Sequence, residues 1–201
     1  MDITTLDALR ALYPEPRERA VKKQLDAIDV HARRFIALSP FAVLATCGAD
    51  GAVDASPRGG APGFVRVADA HTLWLPDSPG NNRLDSSHNI IQTQQVGLLF
   101  MIPGFDETLR VNGSATLTRD AATLAACADE RRTPKLVIRI NVREVYLHCA
   151  KAFMRSRLWQ PDAQVPRDTL PTMGQMINDQ TGMQTPVEPQ HEMQRRYAAD
   201  L

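Results

Sequence analysis

The sequence predicts a mainly β protein with helices at both ends, an α+β chain whose strands form a closed or half-closed antiparallel barrel. Two observations predict it. Between Phe41 and Leu147, six or seven short apolar or alternating runs are separated by turn signals at regular spacing. Helical periodicity dominates the two ends of the chain, where it flanks those runs.

Residues 1–38 read as a helical segment. Val21, Leu25, Ile28, Ala32 and Phe35 recur at spacings of four and three and form one apolar stripe. Pro14 and Pro16 mark its start and Ser39-Pro40 its end. Phe41–Thr46 is a continuous apolar run, as in a buried strand. The turn Gly48-Ala49-Asp50-Gly51 sends Ala52–Ser56 back as a hairpin partner. Phe64, Val65 and Val67 begin a third strand, and Thr72–Pro76 is a fourth.

A loop from Asp77 leads into a short helix, with Asn81 or Asn82 as its N-cap, Arg83 in its first turn, and Leu84, Ile90 and Ile91 available to the core. Val96–Ile102 is a strongly apolar, central strand. Thr108–Leu117 alternates, with Leu109, Val111, Ala115 and Leu117 on one side and Arg110 and Asn112 on the other. Asp120–Asp129 is a short Ala-rich helix, and Leu136–Leu147 is the last long strand. Lys151–Trp159 carries three cations and two aromatics, Gln160–Pro171 is a Pro-rich connector, and residues 172–201 read as two short polar helices. The chain is expected to be a single domain: a helical segment (1–38), a strand-rich core (39–160) and a helical tail (161–201).

The composition is that of an ordinary globular protein, 43% hydrophobic and 23% charged. Basic and acidic residues both number 23, so no basic field marks a nucleic-acid binder. No apolar run has the length of a membrane span, and the N-terminus does not read as a signal peptide. Cys47, Cys127 and Cys149 form an odd, widely spaced set, which points to reduced thiols in the cytoplasm.

One stretch invites a chemical reading. In Asp54-Ala55-Ser56-Pro57-Arg58-Gly59-Gly60-Ala61-Pro62-Gly63, a guanidinium and a hydroxyl sit among glycines and prolines. Arg58 offers a planar fork of donors to an oxyanion, and the glycines let a ligand approach the backbone. The plain alternative is a Gly/Pro-rich loop with a solvated arginine. Arg83, near a helix start, is a second anion candidate. Lys151 and Arg155 share a helix face beside Phe153 and Trp159, which suits either a second anion-binding edge or a basic surface helix. No nucleophile elbow, phosphate-binding loop, GxGxxG unit or metal-ligand histidine spacing occurs, so no metal is expected. An enzyme built this way needs a cofactor to carry its chemistry.

The ordered set of motifs resembles the pyridoxamine 5′-phosphate oxidase superfamily, the FMN-binding split β-barrels, and within it a branch of probable FMN-dependent proteins. The motifs are Phe41–Thr46 with Asp50-Gly51, Ser56-Pro57-Arg58-Gly59-Gly60, Leu75-Pro76-Asp77 leading to Gly80-Asn81-Asn82-Arg83, Val96–Phe100, Glu107–Gly113, and His148–Lys151 with Arg155–Trp159. They span about residues 35–160.

The resemblance implies a homodimer with FMN at the subunit interface. It makes Ser56, Arg58 and Arg83, with the neighbouring Asn82, the phosphate candidates. It places Pro57 and Gly59, with Leu75 and Pro76, along the isoalloxazine edge. Thr108 and Arg110 lie on the strand that reaches the flavin, and Lys151, Arg155 and Arg157 come from the other subunit. The function implied is that of an FMN-dependent oxidoreductase acting on an unknown small substrate. Alternatives are a flavin-binding or redox-sensing module without turnover, a pyridoxamine 5′-phosphate oxidase proper, and a haem or F420 split barrel. The chain departs from the true oxidases: Ser56 and a Gly/Ala pair stand where they carry Arg and Lys, and Arg83-Leu84 replaces an Arg-Lys pair.

Overall fold

The computed structural model describes residues 2–198. Seven strands form one antiparallel sheet: β1 (Phe41–Cys47), β2 (Val53–Gly59), β3 (Arg66–Val67), β4 (Thr72–Pro76), β5 (Gln95–Met101), β6 (Thr108–Thr118) and β7 (Val137–His148). Their order is β2-β1-β5-β6-β7-β4-β3. Alternation turns Leu44, Leu98, Phe100, Leu109, Val111, Ile138, Ile140, Leu73 and Leu75 onto one face, where they form a single core.

The sheet does not close into the expected barrel; β2 and β3 are its two edges. The chain leaving β2 is tied back to the end of the preceding helix, with Gly60 N–H donating to Pro40 O (3.1 Å) and Gly63 N–H to Ser39 O (3.2 Å). Gly63 adopts φ +80° there, and a Cβ would stand 3.2 Å from Ala37 O. The third strand, expected to begin at Phe64, is only two residues long. Pro57 is tolerated in β2 because an edge strand does not need every N–H for a ladder.

The N-terminal segment is not one helix but three: α1 (Leu6–Arg10), α2 (Glu18–Lys22) and α3 (Val30–Leu38). The apolar stripe breaks at Leu25, whose backbone instead pairs with Val145 in both directions (3.0 and 2.8 Å). β4 covers β7 only as far as Asn141, so the arm around Leu25 takes up part of the edge beyond it. Lys23 Nζ adds a bond to Leu147 O at 2.7 Å. Asp29 caps α3 by accepting from Ala32 N–H (2.7 Å), and Ala32 and Ile36 bury against the sheet.

The helix after the fourth strand is α4 (Asp85–Thr93). It starts later than the sequence suggests. Asn82 and Leu84 both hold positive φ (60° and 63°), which breaks the helical run before Asp85 and leaves Arg83 outside the first turn. Ile90 reaches the core, whereas Leu84 and Ile91 are exposed. α5 (Ala121–Ala126) follows, capped by Asp120. Then come α6 (Lys151–Ser156), two 3₁₀ turns (Pro161–Ala163 and Arg167–Thr169) in the Pro-rich connector, α7 (Met173–Thr181) and α8 (Gln190–Tyr197). Among the described residues no helix is long and apolar enough to cross a membrane.

Candidate functional site

Residues alternate along β2. Asp54, Ser56 and Arg58 lie on the core side, opposite Thr46, Leu44 and Ala42 of β1. Three polar side chains on that side of an edge strand need partners, and α4 supplies them. Ser86, 5% exposed, sits at the second position of α4 and reaches across to β2. Its hydroxyl donates to Asp54 Oδ2 at 2.8 Å. Ser56 Oγ lies 3.1 Å from Ser86 Oγ. Arg58 Nη2 donates to both hydroxyl oxygens, at 3.1 Å each. Two further bonds fix α4 over this corner: Asn89 Nδ2 to Thr46 Oγ1 (3.0 Å) and Thr93 Oγ1 to Cys47 O (2.6 Å).

The result is a half-buried cluster of one guanidinium, two hydroxyls and one carboxylate. Arg58 forms no ion pair among the described residues, and its Nε is buried without a hydrogen-bond partner. A buried guanidinium N–H left unmatched is costly, and an anionic oxygen is the acceptor that suits it. Arg83 lies close enough for the Asp54 carboxylate to act on it, but its Nε donates to Asp85 Oδ2 at 2.8 Å. That bond raises the Arg83 pKa and lowers that of Asp85. Both side chains are solvent-exposed, so the pair adds little to stability.

The other sequence candidates fall elsewhere. Pro57 and Gly59 are on the opposite face of β2 from Ser56 and Arg58. Leu75 is packed in the core, with Pro76 half-buried beside it at the end of β4. Asn82 is exposed in the loop before α4. Thr108 is buried at the start of β6, and Arg110 lies with its Cζ 5.1 Å from the centroid of the Tyr146 ring. Register places Arg110 opposite Leu99, Leu99 opposite Val43, and Val43 opposite Pro57. Arg110 therefore shares the outer face with Pro57, three strands from it, and does not meet Arg58 within one chain. Lys151 and Arg155 are exposed on α6, and Arg157, at its C-cap with φ 54°, pairs with Asp162. Phe153 and Trp159 stack at 5.6 Å, anchored by Trp159 Nε1 donating to Phe105 O (2.8 Å).

Ser86 and Asp54 were not singled out from the sequence. Their signal was available: a period of two puts Asp54 on the face of Ser56 and Arg58, and such a trio demands a polar partner from whatever packs over it.

The family model of pyridoxamine 5′-phosphate oxidase matches residues 28–149, more than half of the chain. The chain belongs to the pyridoxamine 5′-phosphate oxidase family. The matched span contains the Ser56–Arg58–Ser86 cluster and Arg110, and it stops short of Lys151, Arg155 and Arg157. One solved structure supports the fold at a TM-score above 0.5, and two others align more loosely. A HupZ variant of Group A Streptococcus aligns at TM-score 0.51 and 18% identity, covering 60% of this chain and 99% of its own. A putative pyridoxamine 5′-phosphate oxidase of Lactobacillus delbrueckii aligns at 0.48 and 21% identity, covering 62% and 98%. An FMN-binding protein of Syntrophomonas wolfei aligns at 0.48 and 12%, covering 59% and 84%. No curated protein sequence matches this member of the family.

Proposed function

We propose that this member of the pyridoxamine 5′-phosphate oxidase family binds FMN and serves as an FMN-dependent oxidoreductase for a small substrate. The observation that carries the reading is Arg58: a half-buried guanidinium without an ion pair among the described residues, holding two serine hydroxyls, with one N–H unmatched. A phosphate monoester carries about −1.5 to −2 charges at neutral pH and accepts from such a donor set. Ser56 and Arg58 would hold the phosphate, with Ser86 orienting both and Arg83 and Asn82 at the rim. FMN would supply hydride or electron transfer. The chain's own part is to anchor the phosphate, orient the ring and place charge near it.

The reading includes a homodimer completing a split barrel, with FMN between the subunits. The outer face of β1, β2 and β5 supports it. Ala45, Ala55 and Gly97 line up across three strands, bordered by Val43, Pro57 and Leu99. These side chains are exposed or half-buried, and small enough for close approach of a second copy. A second subunit would also bring Arg110, Lys151, Arg155 and Arg157 toward the flavin, which one chain does not do. Three cysteines without a disulfide are consistent with a cytoplasmic protein.

The absorption spectrum and mass of the chromophore released from purified protein test the reading. Bands near about 370 and about 450 nm, with the mass of FMN, are expected. A Soret band, or no FMN uptake on reconstitution, overturns it. Reduction of the bound flavin by a pyridine nucleotide would separate turnover from simple binding.

A further inference from the structure

The Arg58 cluster contains a group that an anion site would not be expected to hold, the Asp54 carboxylate. Hydrogen-bond directions around it are constrained. Ser86 has one hydroxyl proton, and it goes to Asp54 Oδ2 at 2.8 Å. Ser56 is then the donor across the 3.1 Å contact between the two hydroxyls. Both protons of Arg58 Nη2 go to the two serine oxygens. With Asp54 ionised, both serine protons run toward it and neither is left for an entering anion.

We propose that Asp54 is a positioning residue that sets the polarity of this site, so that anion binding is coupled to uptake of one proton by Asp54 through Ser86. This rests on the reading of the cluster as the phosphate site. Protonated Asp54 donates to Ser86 Oγ. Ser86 then donates to Ser56 Oγ, and the Ser56 hydroxyl, still holding its proton, turns to donate a hydrogen bond to the anion. One proton from solvent is added to Asp54, and within the relay each hydroxyl gives up one hydrogen-bond direction and gains the other; no covalent bond other than the O–H is formed. Uptake also removes one negative charge beside the phosphate.

The charged and titratable groups facing Asp54 are few. On its own strand is Arg58; ahead of α4 is Arg83, with Asp85 bonded to it and His88 acting on Asp85 in turn. From β1 comes only Thr46, already bonded by Asn89. Two cations and two carboxylates thus share the corner, so removing one carboxylate charge changes its balance from neutral to positive.

Flavin-fluorescence titration of FMN, with riboflavin as the phosphate-free control, tests this in the full chain at about pH 5.5 and about pH 8. The phosphate of free FMN titrates near pH 6 whatever the variant, so its free-state contribution cancels in ratios to wild type. Relative to Asp54→Asn, wild type is expected to lose at least about threefold more FMN affinity across that range, since a proton taken up on binding is a pH-dependent affinity. Asp54→Ser is expected to behave as Asp54→Asn does, which guards against one poorly folding variant. Ser86→Ala is expected to lose most of the difference, because the relay is cut while the carboxylate stays. Parallel pH profiles for wild type and both Asp54 variants overturn the proposal. A Ser86→Ala profile as steep as wild type reduces Asp54 to a bare charge and overturns the relay. Wild type that binds FMN no better than riboflavin at either pH instead refutes the phosphate-site reading itself.

Discussion

Arg58 Nη2 stands 3.1 Å from Ser86 Oγ, and that contact joins an edge strand to the helix that follows the fourth strand. The two residues are far apart in sequence, and the polar cluster exists only because α4 crosses β2. Arg58→Ala is expected to weaken FMN binding by about 1.5–3 kcal/mol, the range for a lost hydrogen bond to a charged group. Arg58→Lys is not expected to restore it, because a point-charge ammonium does not reproduce the planar fork that serves two serines at once. Fluorescence quenching of FMN measures both, and an Arg58→Ala protein with wild-type affinity contradicts the assignment.

Ile90 and Ile91 are neighbours on α4 with opposite fates, 1% and 69% exposed. Ile90→Ala is expected to cost about 2–5 kcal/mol, as a core truncation leaves a cavity. Ile91→Ala is expected to stay within about 0.5 kcal/mol in the monomeric fold. Urea unfolding followed by circular dichroism separates the two; equal losses would show that the helix faces the sheet differently.

Gly113 lies at the register shift between β6 and β7, where a Cβ would stand 2.0 Å from Asn141 O. The obstacle is backbone in the middle of a ladder, so it does not yield as a side chain would. Gly113→Ala is expected to destabilise by about 3 kcal/mol or more. A melting temperature unchanged by that substitution refutes the geometry of the bulge.

Asp120 caps α5, accepting from Thr123 N–H (2.9 Å) and from the Thr123 hydroxyl (2.8 Å), and these bonds hold its pKa below the usual carboxylate value. A depressed folded-state pKa contributes stability above the unfolded value and loses it as pH falls through the folded one. The gap in melting temperature between wild type and Asp120→Ala is therefore expected to be full above about pH 5 and to shrink below about pH 4. Thermal melts across that range check it; a gap that widens in acid has the wrong sign.

Ala45 is exposed at the centre of the outer face, between Ala55 on β2 and Gly97 on β5. Ala45→Glu places a charge where the proposed second subunit would lie. Light scattering is expected to report a dimer for wild type and a monomer for this variant, with FMN affinity reduced at least about tenfold, the factor equivalent to 1.4 kcal/mol. A monomeric wild type that binds FMN fully would remove the dimer from the reading.

Much of the fold was legible in the chain. β1 and β5 announce themselves as apolar runs, β6 by alternation, and the glycine-marked turn after β1 correctly sets the hairpin to β2. What misled was local. The stripe from Val21 to Phe35 has helical spacing, yet Leu25 serves an unpaired sheet edge better than a helix. Asn81 and Asn82 look like caps, yet two positive-φ residues displace the helix start to Asp85. In both places a backbone requirement of the assembled sheet outweighed a local preference.

By itself the sequence determined the strand pattern and the family, and it put a hydroxyl and a guanidinium, Ser56 and Arg58, two residues apart at the end of the second strand. Tertiary structure decided the rest. It divided the candidates between two faces of a sheet, separating Arg110 and Pro57 from Arg58, and it brought Ser86 and Asp54 into the cluster the sequence had left half built. The physical reason is that periodicity fixes which residues share a face, but only packing chooses which element covers that face. Here the polar corner of β2 was completed by α4, whose docking is governed by Ile90 in the core and by the need to satisfy buried hydroxyls.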